Sequence, residues 1–181
     1  MKIGTLLYLG LALVLLLSCN NSNGKKSNLS SKNDVVLQQE DGTITLKLEK
    51  AACYSDINDP SSNTAEWNVV ISTPGRYSVW LSSATKDTLD LNYTNTVKVN
   101  FLDNQLEVDP ACDRIVKNSE DVPYPYYRAD SYMGSFYVME PGEYNIQVIS
   151  EKIVSKELRN ETAYLSDNTR LVALSLAPVK R

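Results

Sequence analysis

Val69-Val70-Ile71-Ser72-Thr73-Pro74-Gly75-Arg76-Tyr77-Ser78-Val79 and Phe136-Tyr137-Val138-Met139-Glu140-Pro141-Gly142-Glu143-Tyr144-Asn145-Ile146 share one form: apolar strand, Pro-Gly, any residue, tyrosine, alternating strand. Proline presets φ at the first turn position and glycine accepts a positive φ at the second, so each stretch is a hairpin signal of type II character. A type II turn matches strand twist less well than a primed turn does, which predicts loops a little wider than two residues.

Outward from these two stretches the dominant period is two. Ile44, Leu46 and Leu48 alternate with polar residues, as do Trp67, Val69 and Ile71, then Tyr77, Val79 and Leu81, then Val97, Val99 and Phe101. Phe136 and Val138, Tyr144, Ile146 and Val148, and Val172, Leu174 and Leu176 continue the pattern. Short, numerous, half-buried strands separated by turn signals predict an all-β chain folded as an antiparallel β-sandwich or barrel. Trp67 is in phase with Val69 and Ile71, so it belongs to the core, whereas Trp80 is out of phase with Tyr77, Val79 and Leu81 and faces the other way. Glu151 to Asn168 has neither period and reads as a long excursion between the last two strands.

Glu66-Trp67-Asn68-Val69 followed by the first Pro-Gly stretch, Gly134-Ser135-Phe136-Tyr137-Val138 followed by the second, and the closing Leu171-Val172-Ala173-Leu174-Ser175-Leu176-Ala177-Pro178 come in an order that resembles galactose-binding-like modules. The resemblance covers roughly residues 43–178 and is greatest to carbohydrate-binding modules of families six and thirty-five. It implies a jelly-roll sandwich, and many such modules bind glycans with the help of structural calcium. The early strand that carries acidic calcium ligands in those modules is matched here by Leu48-Glu49-Lys50-Ala51, which keeps one acid beside a lysine. A hard cation wants several oxygens, and Asp56 and Asp59 are also ordinary turn formers. No metal and no cofactor is therefore expected.

The chain of 181 residues has no histidine, which removes Ser-His-Asp and Cys-His pairs and the commonest zinc ligand. Its acids are scattered through turn-like stretches, so a non-catalytic role is expected. The net charge of −4, with no basic stripe, argues against nucleic acid as a partner. Eleven tyrosines against two phenylalanines point to recognition, because sugars stack on rings while polar side chains take their hydroxyls. Pro123-Tyr124-Pro125-Tyr126-Tyr127-Arg128-Ala129-Asp130-Ser131-Tyr132 gathers four of them in a proline-broken stretch. Tyr124, Tyr126, Tyr127 and Tyr132, with Arg128 and Asp130 orienting ligand hydroxyls, form the candidate binding site on an irregular loop; the competing reading makes the rings rim and core packing.

The N-terminus sets the compartment. Met1-Lys2 precedes an apolar run from Ile3 to Leu17, shorter than the ~20 residues of a spanning helix, and Leu16-Leu17-Ser18-Cys19 resembles a bacterial lipobox. Residues 1–18 are thus expected to be a lipoprotein signal peptide, Cys19 the lipidated residue, 19–34 a flexible Asn/Ser-rich tether, and 35–181 a single domain. Asn20 in place of aspartate favours the outer membrane. In that oxidising compartment Cys53 and Cys112 are expected to pair, stabilising the domain by about 4 kcal/mol, with two buried thiols as the alternative. The expected partners are the membrane through the anchor and either a glycan or other envelope proteins, the latter making the chain an interaction subunit of an envelope complex.

Overall fold

The computed structural model describes residues 35–56, 58–154 and 169–180. The signal peptide, Cys19, the tether and most of the 151–168 excursion lie outside them. Among the described residues, eleven strands form two sheets: β1 (Val36–Leu37), β2 (Ile44–Lys47), β3 (Ala52–Tyr54), β4 (Thr64–Ile71), β5 (Gly75–Thr85), β6 (Val97–Phe101), β7 (Asn104–Val108), β8 (Arg114–Val116), β9 (Tyr127–Val138), β10 (Gly142–Ile149) and β11 (Thr169–Pro178). The first sheet runs β1-β4-β10-β6-β7 with β3 also on β4, and the second runs β2-β11-β5-β9-β8. Pairing is antiparallel except for the two-residue β1 along β4. The chain is an all-β sandwich, as its alternation requires.

The inward residues of both sheets meet in one core. Trp67, Ile71, Phe101 and Ile146 face it from the first sheet and Ile44, Leu46, Tyr77, Leu81 and Leu174 from the second, all essentially excluded from solvent. Each such side chain contributes on the order of 1.5–3 kcal/mol by leaving water. Trp67 Nε1 donates to the carbonyl of Lys47 at 2.9 Å, so the largest core ring keeps its polar atom satisfied across the two layers.

The Pro-Gly stretches do not make hairpins. β4 and β5 lie in different sheets, as do β9 and β10; each three-residue link, 72–74 and 139–141, carries the chain over the edge of the sandwich. Because β4 pairs with β10 and β5 with β9, with Gly142 opposite Ile71 and Gly75 opposite Val138, the two links lie side by side. A two-stranded ribbon thus bends from one sheet into the other. The tyrosines of the motif fasten the bends: Tyr77 Oη donates to the Thr73 carbonyl and Tyr144 Oη to the Glu140 carbonyl, each four residues back. Gln38 adds to the first bend, donating to Tyr77 Oη and accepting from the amides of Ser72 and Thr73.

Cys53 and Cys112 do not form the expected disulfide. Cys53 is on β3 at the edge of the first sheet, its Sγ directed at the carbonyls of Leu48 and Ala51. Cys112 lies just ahead of β8 in the second. Sheets pack about 10 Å apart, whereas a disulfide needs α-carbons within about 7 Å. Burial, and then the nearby Asp87, Asp90 and Asp113, push the Cys112 thiol pKa up.

The proline-broken stretch is also more regular than its sequence suggests. From Tyr127 onward it is β9, twelve residues long, so Tyr127, Arg128, Asp130 and Tyr132 sit on a strand rather than an irregular loop. A bulge opposite Val79 and Trp80 switches the inward set of β9 from Ala129, Ser131 and Met133 to Phe136 and Val138. Gly134 follows the bulged residue at φ 125°, and a Cβ there would lie 3.0 Å from Leu106 Cδ2.

Candidate functional site

The outward residues of β5, β9 and β8 assemble one polar and aromatic surface. In register across the sheet, Ser82 faces Asp130 and Asp130 faces Arg114, while Trp80 faces Tyr132 in the next row. Asp130 is only 1% exposed although it points out of the sandwich. Its Oδ1 accepts from Ser82 Oγ at 2.8 Å, and its Oδ2 accepts from Arg114 Nε at 3.0 Å and Arg114 Nη2 at 2.6 Å. Arg128 adds a donor to Oδ2 at 3.4 Å and sets its Nε 3.1 Å from Oδ1, off hydrogen-bond geometry. One buried carboxylate therefore holds two guanidiniums, and the two-point bond to Arg114 fixes the plane of that side chain.

Arg114 is the exposed partner. Its side chain is 58% accessible and its Cζ lies 5.2 Å from the centroid of the Trp80 ring. Trp80 in turn meets Tyr132 with ring centroids 5.2 Å apart at 56°, the tilted geometry that aromatic quadrupoles favour. Tyr132 is 45% exposed, and its amide donates to Asp113 Oδ2 at 2.7 Å. Two rings and a guanidinium are thus held on rigid strands, without charge excess, since Arg114 and Arg128 face Asp130 and Asp113.

The other half of this sheet face is covered. The β8–β9 link, residues 117–126, carries Asp121 to Lys47 on the far-edge strand β2, with Nζ 2.7 Å from Oδ1, while Asp121 Oδ2 lies 3.6 Å from Arg128 Nη1. To span that distance the link passes over β5 and β11 as a strap, which accounts for the burial of outward-facing Ala84 and Ala173 and of Val122 in the strap itself. The hydrogen bond that Lys47 donates to Asp121, and then the Asp121 charge, raise the Lys47 pKa.

The structure divides the six sequence-predicted residues. Arg128, Asp130 and Tyr132 are brought together, with Asp130 beneath the surface rather than on it. Tyr126 lies at the strap end, its ring flanked by Lys86 Nζ at 4.9 Å and Arg170 Cζ at 4.8 Å. Tyr124 is almost wholly exposed on the strap, and Tyr127 begins β9 opposite Thr85. Sequence reasoning placed Trp80 on the outward face by its phase but did not join it to Tyr132, and it missed Arg114 and Ser82, which are 16 and 48 positions from Asp130. A cavity of 490 Å³ lies elsewhere, beside β2 and β11, lined by Lys47, Glu49, Glu120, Asp121 and Arg170 among others and by no aromatic ring. Lys47 and Asp121 in that lining are already paired, so the shallow aromatic platform is the better candidate site.

No family model and no curated protein matches the chain. Among solved structures, it is similar to an α-L-fucosidase from Vibrio sp. strain EJY3, at 23% identity and a TM-score of 0.63, over 81% of this chain and 24% of that one. A GH26-CBM35 β-(1,4)-mannanase from Podospora anserina matches at 14% identity and a TM-score of 0.45, over 78% of this chain and 28% of that one. The chain thus spans about a quarter of these proteins. The likeness to the fucosidase shows the sandwich fold.

Proposed function

We propose that this protein is a lipid-anchored, extracytoplasmic, non-catalytic glycan-binding module whose recognition surface is the Trp80–Tyr132–Arg114 platform. The observation that carries the reading is the exposed Tyr132 ring packed on the partly buried Trp80, beside a guanidinium locked by a buried carboxylate. A sugar offers an apolar face to a ring and hydroxyls to fixed donors, and this arrangement supplies both with little ordering left to do on binding. Tyr124 stands exposed on the strap over the same sheet face, where it extends the surface for a longer ligand, whereas Tyr127 shares the inward phase of Ala129 and Ser131 and lies off that face. The fucosidase that shares the fold is by its name a sugar-acting protein, which agrees with this reading. Cys19 supplies the anchor, placing the domain on the outer membrane or the outer side of the inner membrane.

A shallow site of this size supports micromolar to millimolar affinity, about −8 to −4 kcal/mol. On a glycan array, Trp80→Ala and Tyr132→Ala are each expected to weaken the best ligand at least fivefold, with Tyr124→Ala doing less. Cys19→Ser is expected to stop incorporation of labelled palmitate. A blank array with the wild-type protein turns the reading toward an interaction subunit of an envelope complex, and undiminished palmitate labelling of the Cys19 variant removes the anchor.

A further inference from the structure

The outer face of the six-stranded sheet has a different composition. Glu66 on β4, Gln147 on β10, Asn100 on β6 and Gln105 on β7 are directly opposite one another in sequence of strands, forming one straight row across four strands. Asn68 and Asn145 stand opposite each other in the adjoining row. Neighbouring strands are about 4.8 Å apart, so the main row is roughly 14 Å long. Asparagine is depleted in strands, yet Asn68, Asn100 and Asn145 occupy strand positions on this one face.

The row is ordered and carries a single carboxylate. Glu66 accepts from Asn145 Nδ2 at 2.6 Å and from Gln147 Nε2 at 3.3 Å, and Gln105 Nε2 donates to Asn100 Oδ1 at 2.7 Å. In the flanking row Lys98 and Glu107 pair at 3.6 Å. At the middle of the main row no hydrogen bond joins Gln147 to Asn100, which leaves an amide acceptor and an amide donor side by side on two adjacent strands. Vicinal hydroxyls, each of which donates and accepts, complement that pair. Lys98 is cancelled by Glu107, while the amides bond to Glu66 without cancelling its charge, so the row keeps one negative charge and disfavours an anionic ligand.

We propose that this face is a second recognition surface, for an uncharged polysaccharide chain lying across the strands along Glu66, Gln147, Asn100 and Gln105. It is independent of the aromatic platform on the opposite sheet, and the two together let one anchored domain hold two chains.

The test is affinity electrophoresis of the full-length, detergent-solubilised protein through gels containing mixed-linkage glucan, xylan or galactomannan, with polygalacturonate as the charged control. The double variant Asn100→Thr/Gln147→Thr keeps strand-compatible residues, and its melting temperature is checked alongside. At least one neutral polysaccharide is expected to retard the wild type, the double variant to weaken that retardation at least fivefold, and Tyr132→Ala to change it less than twofold. Retardation by a neutral polysaccharide that the double variant retains in full, or retardation that disappears only with Tyr132→Ala, assigns binding to the platform and overturns the proposal. So does a wild type that no neutral polysaccharide retards.

Discussion

The two outer faces of the sandwich are produced by the same alternation of side chains, but a polar residue placed outward has a different fate on each. On the six-stranded sheet Asn68 and Asn145 are exposed, and the polar groups bond to near neighbours in water. On the five-stranded sheet the outward-pointing Asp130 and Ser82 are buried, because the side chains of Arg114 on the edge strand β8 and of Arg128 close over them beside the strap. Strand phase therefore sets direction only. Whether an outward position ends as solvated surface or as a buried charge network is decided by the side chains and loops that close over it, and those closures join residues distant in sequence.

The largest test of this contrast is Asp130→Ala. Removing the carboxylate strips Ser82 and Arg114 of their acceptor and leaves Arg128 only Asp121, at 3.6 Å, as a counter-charge, and losing charge-assisted hydrogen bonds of this kind costs about 1.5–3 kcal/mol because both guanidiniums keep some access to water. Glu66→Ala, on the opposite face, removes an acceptor from exposed amides and should cost under about 1 kcal/mol. Denaturant unfolding of both variants measures the two values. If Asp130→Ala falls below about 1 kcal/mol, the two faces are energetically alike and the strap is no more than a surface loop.

The legibility of the chain follows the same division. Strands whose inward residues are large and apolar, such as Trp67-Val69-Ile71 and Val97-Val99-Phe101, were readable because period two survives in the sequence. β7 and β8 were not read, since Leu106 and Ile115 are too few to set a period, and the start of β9 was hidden by small or polar inward residues, Ala129 and Ser131, and by the bulge before Gly134. The Pro-Gly motif announced turns of the right width but not the partner strand; a bend between sheets and a hairpin need the same local chemistry. Trp80 was readable as outward, whereas the salt-bridged cluster beneath Arg114 depends on register between three strands and leaves no local trace.

The cysteines give a smaller test of the same point, because their pairing was inferred from compartment while the layers keep them apart. Two thiols are expected to titrate in the unreduced, denatured domain, and Cys53→Ser/Cys112→Ser should change stability far less than the about 4 kcal/mol that loss of a long-loop disulfide would cost. A raised pKa keeps the Cys112 thiol protonated to higher pH, so its alkylation should rise later with pH than that of an unhindered cysteine. Absence of titratable thiol would restore the disulfide and require the two edges to approach.

The smallest effect is the one that best separates ligand recognition from solvation on the amide face. Threonine fits a pleated strand better than asparagine, so Asn100→Thr and Asn145→Thr should each leave stability unchanged or raise it by up to about 1 kcal/mol. Asn100 loses only the Gln105 bond and Asn145 only its bonds to Glu66 and Asn68, all at or near the surface and individually worth little net. Unfolding midpoints at equal denaturant slope measure the change. A gain would mean that the native residues hold these positions against strand preference, which a packing role does not explain and a hydrogen-bonding ligand does. A loss of more than about 1 kcal/mol would make the amides part of the scaffold, and the contrast between the faces would then reduce to the presence of the strap alone.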